Sequence, residues 1–286
     1  MASYQDAFEA SLKYFKGDEL AADVFVSKYA LTDKTGYIKE LTPRDMHRRL
    51  AKEFARIETK YPNPLSEDEI FGLMDGFEHI IPQGSPMAAI GNDYQIQSAS
   101  NCYVIGSAYD SYGGILKIDQ EQAQLMKRRA GVGHDISNIR PKGIITNNAA
   151  KTTDGIGIFM DRFSNTCREV AQNGRRGALM ISCNVHHPEI ETFINIKRDR
   201  KRVTGANISV KLTDQFMNAV VNDEEYTQQW PIDSNNPTII KKVKARAIWE
   251  QIVAAAWESA EPGLLFWDNA IKNTPSDIYS EEGFRS

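Results

Sequence analysis

C-terminal to Ile80, short apolar segments alternate with helical stretches, and this alternation constrains the fold more than any other feature of the sequence. Five segments have the composition of strands: Cys102–Ile105, Val132–Ile136, Ala178–Cys183, Asn207–Leu212 and Leu264–Trp267. Four stretches have helical spacing: Asp119–Arg129, Gly157–Gln172, Asp214–Asn222 and Ala245–Ser259. Strands that alternate with helices of this length predict an α/β core.

Residues 1–80 have a different, helical pattern. Thr42 and Pro43 form a helix start signal, and apolar residues then recur on one helical face, namely Met46, Leu50, Phe54 and Ile57. A second, shorter helix is predicted from Ser66. None of these residues suggests chemistry. We therefore predict an N-terminal helical domain over residues 1–80 and an α/β domain over residues 81–286.

The C-terminal segment predicts an unfinished α/β unit. The last strand is followed by a loop that ends at Ser286, with no closing helix expected. The chain is therefore expected to be cut rather than finished at this point.

Composition excludes several classes of protein. The chain of 286 residues carries a formal net charge of −4, which argues against a nucleic-acid polymer as partner. No apolar run is long enough to span a membrane, and Asp6 and Glu9 interrupt any signal peptide at the start. Three cysteines cannot form a disulfide framework. These features predict a cytoplasmic, reduced protein.

The histidines do not predict a metal site. His186 and His187 are adjacent, and adjacent residues of a strand face opposite ways. No cysteine or second histidine pair lies at zinc-ligand spacing. We interpret His186-His187-Pro188-Glu189 as a turn between a strand and a helix.

Three further segments leave alternatives open. The glycine-rich segments Gly131-Val132-Gly133 and Gly174–Ala178 match no phosphate-binding motif and predict tight turns. The cationic run Lys197–Arg202 is either a solvated loop or a mobile loop that reaches anionic phosphates. Cys102 begins a strand predicted to be buried, where a cysteine is more often a packing residue than a functional one.

Five segments, in this order, resemble the large catalytic subunit of ribonucleotide reductase. They are Ile81–Pro86, Ser100–Ile105, Gln124–Gly133, Arg175–Ala178 and Val203–Ser209. Over these segments the sequence is most similar to the adenosylcobalamin-dependent class II enzymes of this family. The resemblance extends from Leu20 to the C-terminus.

The resemblance implies an N-terminal helical region followed by the first half of a ten-stranded α/β barrel. In that family the barrel encloses a finger loop with a thiyl-radical cysteine. The finger loop, the second reducing cysteine and the C-terminal cysteine pair are absent from this sequence, so a complementary C-terminal reductase chain is the expected partner. The radical source implied is adenosylcobalamin, with a radical-generating small subunit as the alternative.

The resemblance also assigns residues to the active site. Cys102 matches the first cysteine of the pair that reduces the ribonucleotide, a pair regenerated by a thioredoxin-like protein or another dithiol reductant. Ser85 matches a small hydroxyl residue beside the substrate, and Ser100 and Asn101 flank Cys102 as substrate-binding candidates. Cys167 and Cys183 match no redox position and are interpreted as packing residues.

An allosteric site is implied as well, where a deoxynucleoside triphosphate or ATP binds with Mg²⁺ and selects the substrate base. Asp110 and Arg140 match effector-contacting residues, and Lys142–Thr153 and Arg198–Asn207 match two specificity loops. The remaining effector-binding candidates are Lys142, Arg198, Lys201, Arg202 and Asn207. Helices 119–129 and 157–172 are expected to form a homodimer contact.

Two other functions compete with a catalytic half-subunit. A non-catalytic module that binds deoxynucleotides and pairs with a reductase would keep the effector site but not need Cys102. A member of the wider glycyl-radical family would lack the two specificity loops, so their presence argues against it.

Overall fold

The computed structural model describes residues 2–170 and 177–283, and within them the chain forms two compact units. The first comprises residues 2–103 with Lys127–Gly131, and the second comprises Val104–Met126, Val132–Val170 and residues 177–283. The predicted domain boundary after residue 80 lies inside the first unit. Part of the Gly174–Ala178 segment and the end of the predicted helix Gly157–Gln172 lie outside the described residues.

The first unit is helical. Its helices are α1 (Tyr4–Tyr14), α2 (Glu19–Lys28), α3 (Pro43–Glu58), α4 (Glu67–Met74) and α5 (Gly84–Ala89), with a short 3₁₀ turn at Asp75–Phe77. The predicted starts at Thr42 and Ser66 are confirmed. Each of these residues caps its helix in a reciprocal capping box, in which Asp45 and Glu69 reach back to the cap backbone.

The apolar face of α3 forms the core of this unit. Met46 and Leu50 are fully buried, whereas Phe54, predicted on the same face, is 37% exposed. Arg49 on α3 pairs with the buried Glu40 at 2.6 Å and donates to the carbonyl of Met87 at 2.8 Å. The paired guanidinium therefore ties α5 to the helical core.

A parallel sheet with the strand order β1-β2-β3-β4-β7 confirms the predicted α/β fold, and apart from residues 102, 103 and 131 its strands belong to the second unit. The strands are β1 (Cys102–Val104), β2 (Gly131–Asp135), β3 (Leu179–Asn184), β4 (Asn207–Leu212), β5 (Glu225–Trp230), β6 (Ile239–Lys244) and β7 (Gly263–Phe266). The helices are α6 (Tyr112–Met126), α7 (Ile156–Glu169), α8 (Ile190–Asn195), α9 (Asp214–Val221), α10 (Ala245–Ser259), α11 (Trp267–Asn273) and α12 (Pro275–Ile278).

The two faces of this sheet differ in chemistry. One face carries buried apolar residues that join a single core with residues of α6 to α10, such as Phe163, Phe193 and Ile252. The other face carries small and polar residues. On it, Asp135 accepts hydrogen bonds from Ser182 at 2.8 Å and Lys211 at 2.9 Å.

Three elements differ from the prediction. The antiparallel hairpin β5–β6 was not predicted. Helix α6 spans Tyr112–Met126 and not the predicted Asp119–Arg129. Its first turn contains Gly113 and Gly114, which are poor helix formers, so the local sequence carries no helical signal there. The predicted absence of a closing helix is wrong, since α11 and α12 follow β7. No described helix is long and apolar enough to cross a membrane.

Candidate functional site

Cys102 is exposed, so the prediction that it begins a buried strand is wrong. The reason lies in its neighbours. β1 is an edge strand, and the Gly131 N–H donates to the Asn101 carbonyl at 2.6 Å. In a parallel pair this bond places Gly131 opposite Cys102, and glycine has no side chain to cover the thiol. The Cys102 sulfur is therefore accessible at the start of its strand.

The other substrate candidates surround Cys102 within the first unit. The Asn101 side-chain oxygen accepts from the Ser85 backbone N–H at 2.8 Å, and its side-chain nitrogen donates to Gln83. Ser85 is buried, and its hydroxyl lies 3.5 Å from the carbonyl of Arg129. Ser100 is exposed and donates to the Cys102 carbonyl at 3.2 Å. The Asn101 amide thus fixes the start of α5 against the strand that carries the thiol.

The other two cysteines are buried in the core of the second unit, which confirms their interpretation as packing residues. Burial raises the pKa of the Cys167 thiol and raises that of Cys183 well above its usual value. Thiolate is the reactive form, so both residues are inert in the folded protein.

A cavity of about 520 Å³ lies in the second unit, between the start of α6, the segment after β2 and the loop before α7. Its lining combines charged, polar and aromatic groups: Asp110, Ser111, Tyr112, Ile115, Arg140, Thr146, Asn147, Asn148, Ala150, Thr152, Thr153, Asp154, Ile158 and Phe159. This volume lies within the range of small-molecule sites.

An ion pair forms one side of this cavity. The Arg140 guanidinium donates through Nε and Nη2 to Asp110 Oδ2, each at 2.7 Å, and the Arg140 backbone N–H donates to Asp110 Oδ1 at 3.0 Å. Nη1 donates to the Ile145 carbonyl at 3.2 Å. These bonds use three of the five guanidinium N–H groups, and the cation remains a quarter exposed. The arrangement leaves two guanidinium N–H groups of Arg140 for a ligand.

The aromatic part of the cavity, formed by Tyr112 and Phe159, was not predicted from the sequence. The rings of Tyr112 and Phe159 contact each other edge to face at 6.0 Å between centroids. Tyr112 is 64% exposed, and such a ring can stack on a planar ligand. The two residues come from α6 and α7, and no spacing in the sequence indicates that they meet.

The remaining effector candidates lie apart from this cavity lining. Lys142 begins the loop whose later residues line the cavity, whereas the cationic run Lys197–Arg202 lies between α8 and β4. In that run Lys197 pairs with Glu261, Arg198 with Glu258 at 3.0 Å and Arg202 with Asp161 at 2.5 Å.

The other two effector candidates of the predicted second specificity loop, Lys201 and Asn207, are exposed. No ion pair of Lys201 occurs among residues 2–170 and 177–283. The run is therefore a part-paired loop, and its contact with an effector stays a prediction.

The structure agrees with the interpretation of the adjacent histidines as a turn. His187 is buried, its Nε2–H donates to the Ile139 carbonyl at 2.9 Å, and its Nδ1 accepts from the Glu189 N–H at 3.1 Å. Burial lowers the pKa of His187 to about 4, so the ring is neutral near pH 7. Within the described ranges no cluster of three or more His, Cys, Asp or Glu side chains could hold a metal ion.

The parallel sheet and the helices that pack on it define an α/β domain. Residues 100–281 match the family described as ribonucleotide reductase, barrel domain, and the chain belongs to that family. The resemblance proposed from the sequence motifs is thereby confirmed.

The curated relatives are reductase subunits. The chain is 29% identical over 89% of its length to the vitamin B12-dependent ribonucleoside-diphosphate reductase of Thermoplasma acidophilum, and covers 40% of that protein. It is 26% identical to the B12-dependent enzyme of Mycobacterium tuberculosis, of which it covers 36%. It is 25% identical to the ribonucleoside-diphosphate reductase subunit alpha of Helicobacter pylori, and again covers 36%. The chain thus spans less than half the length of these relatives.

Proposed function

We propose that this chain supplies the N-terminal half of a ribonucleotide reductase catalytic subunit, active with a complementary C-terminal reductase chain. Its substrate would be a ribonucleoside diphosphate or triphosphate. The observation that carries the proposal is the accessible Cys102 thiol at the start of β1 in a barrel domain of this family. Coverage of 36–40% of the relatives supports a requirement for further residues.

The proposed chemistry explains the need for two chains. Loss of the ribose 2′-hydroxyl as water requires a radical at the 3′ carbon, two electrons and two protons. Cys102 and a second thiol supply the electrons and protons and become a disulfide, which a thioredoxin-like protein or another dithiol then reduces. A disulfide needs Cα atoms about 4.4–6.8 Å apart. Because Cys167 and Cys183 are buried, the second thiol is proposed to come from the complementary chain.

The radical source is proposed to be adenosylcobalamin, which two of the relatives name through vitamin B12. Bound cobalamin supplies the initiating radical. None of the described residues is assigned to hold the cofactor. A radical-generating small subunit is the alternative, because another relative is named as a subunit alpha.

The cavity beside Asp110 and Arg140 is proposed to bind a deoxynucleoside triphosphate or ATP with Mg²⁺ as an allosteric effector. The part-exposed guanidinium would contact phosphate oxygens, and Tyr112 would stack on the base. Lys142, Arg198, Lys201, Arg202 and Asn207 stay proposed effector contacts on the two loops. Coupling between effector and substrate would be reciprocal, as every allosteric coupling is.

A homodimer through α6 and α7 is proposed as well. The two helices pack on each other, with Asp119 on α6 accepting from Arg162 at 2.9 Å and Thr166 at 2.6 Å on α7. Tyr112 and Ile158 leave apolar surface exposed on this helix pair. Analytical ultracentrifugation tests the proposal, which requires a dimer.

The decisive experiment combines the chain with a chain that carries the remaining part of the subunit, adenosylcobalamin and dithiothreitol. Deoxynucleotide formation, detected by chromatography, is expected from the mixture and not from this chain alone. Turnover by the chain alone would contradict the need for a complementary half.

A regulatory module without catalysis is the second candidate function. The observation in its favour is that the charged cavity lies wholly within this chain, whereas the thiol partner of Cys102 is proposed to lie elsewhere. Effector binding together with full turnover by a Cys102→Ser mixture would favour this candidate.

A further inference from the structure

The loop of residues 142–155 supplies half of the cavity lining, and its end at α7 is held by one carboxylate. Glu189 Oε2 accepts from the Ile156 N–H at 3.0 Å, where α7 begins, and the Lys142 N–H and charge lower the pKa of the same carboxyl. Across the neck of the loop, the Gly143 N–H donates to the Thr153 carbonyl at 3.1 Å. The neck is thus closed by this backbone hydrogen bond and held at the start of α7 by the Glu189 side chain.

Glu189 is itself held by hydrogen bonds that lead through His187 to the segment before Arg140. Its N–H donates to Nδ1 of the buried His187, whose Nε2–H donates to the carbonyl of Ile139. Ile139 precedes Arg140, the cation of the cavity. A continuous set of hydrogen bonds therefore joins the Arg140 segment, His187, Glu189 and the neck of the loop.

We propose that Glu189 is a positioning residue that clamps the neck of loop 142–155 and thereby holds the wall of the nucleotide cavity in place. The proposal rests on the proposed function of that cavity as a deoxynucleotide site. Glu189 does not line the cavity, so it acts through the loop and not by touching the ligand.

The surroundings of the Glu189 carboxyl group support its role as a clamp. Burial raises the pKa of Glu189, although the two N–H groups and the Lys142 charge oppose this rise. The carboxyl group is thus held where water solvates it poorly, and the hydrogen bond from the Ile156 N–H compensates. Gly155 has φ +80°, and a methyl group there would overlap the Glu189 carboxylate. Glycine at this position leaves room for the clamp.

Trypsin cleavage of the full chain tests the clamp without any nucleotide. Lys142 and Lys151 are exposed trypsin sites in the loop. Glu189→Gln removes the negative charge and replaces one of the two acceptor oxygens by an NH₂ group that cannot accept, so loss of the charge-assisted hydrogen bond should raise the rate of cleavage at these sites roughly tenfold or more. Gly155→Ala should also raise the rate of cleavage, because the added methyl group would overlap the Glu189 carboxylate. Unchanged cleavage in both variants overturns the proposal.

The matched control is Glu191→Gln. Glu191 lies two residues further along, is part-exposed and pairs with Lys241 at 2.8 Å, with no contact to the loop. Its substitution should leave cleavage in the loop unchanged. Mass spectrometry assigns each cut, and an equal rise in cleavage for Glu191→Gln would show general destabilisation and so overturn the assignment to Glu189.

Calorimetric titration with dATP, dGTP, dCTP and dTTP in Mg²⁺ tests the consequence for the cavity. Where the wild type binds one of them, Glu189→Gln should weaken that binding roughly tenfold or more, with Glu191→Gln unchanged. Faster cleavage with unaltered affinity would overturn the role in positioning. If the wild type binds none of the four, the proposed function of the cavity fails, while the cleavage experiment still decides whether Glu189 clamps the loop.

Discussion

Replacing Arg140 by alanine should weaken binding of a deoxynucleoside triphosphate at the proposed effector cavity. The guanidinium makes three hydrogen bonds inside the protein and keeps a quarter of its surface exposed toward a ligand. A hydrogen bond to a charged group contributes about 1.5–3 kcal/mol. The dissociation constant should therefore rise about 10-fold to 150-fold.

The same substitution leaves the Asp110 carboxylate without its cation, beside the position proposed for the phosphates. Like-charge repulsion then adds to the loss of affinity. The double variant Asp110→Asn/Arg140→Ala removes this repulsion, so it should bind more tightly than Arg140→Ala alone. Arg140→Lys should be intermediate, because an ammonium keeps the charge but not the planar fork.

Isothermal titration calorimetry with dTTP and with dATP, each with Mg²⁺, measures these affinities. Arg246→Ala is a matched control, because Arg246 pairs with Asp223 at 3.3 Å and does not line the cavity. Urea unfolding should change by no more than about 1 kcal/mol in Arg140→Ala, since the ion pair is part-exposed. Unchanged nucleotide affinity in a folded Arg140→Ala protein would refute the assignment.

Three further predictions concern the thiols and histidines. Cys102→Ser in the mixture with the complementary chain should abolish deoxynucleotide formation, measured by chromatography, yet spare effector binding; full turnover with dithiothreitol would remove Cys102 from the mechanism. In the folded protein a disulfide reagent should label Cys102 within minutes and leave Cys167 and Cys183 unlabelled until urea is added, because both are buried and their thiol pKa values are raised; fast labelling of all three would contradict the described core. Burial lowers the pKa of His134 and His187 to about 4, so the unfolded chain takes up protons between about pH 6.5 and pH 4 that the folded chain does not. The contribution of these histidines to the free energy of unfolding is therefore full above about pH 6.5 and falls toward pH 4, by up to roughly 3 kcal/mol for each histidine. Urea midpoints that stay constant from pH 7 to pH 5, a range above the pKa of most carboxylates, would contradict this.

The elements that sequence patterns predicted well are those whose signal is local. Helix α10 spans Ala245–Ser259 and β4 spans Asn207–Leu212, both as predicted, because a wide apolar stripe and a compact apolar run mark them. The hairpin β5–β6 was missed for a tertiary reason. Its Gln228 is fully buried, and its side-chain nitrogen donates to the Val185 carbonyl at 3.4 Å. A polar residue in a core position has no local signature.

The amino-acid sequence by itself determined the α/β class and, through the order of its motifs, the ribonucleotide reductase family, because periodicity and motif order are properties of the chain. Tertiary structure alone decided that Cys102 is exposed, since this depends on Gly131 beside it. It also brought Asp110 to Arg140, 30 positions away, and Glu189 to the Ile156 N–H at the end of loop 142–155, 33 positions away. Burial and long-range hydrogen bonds depend on which residues meet in space, and no local pattern encodes that.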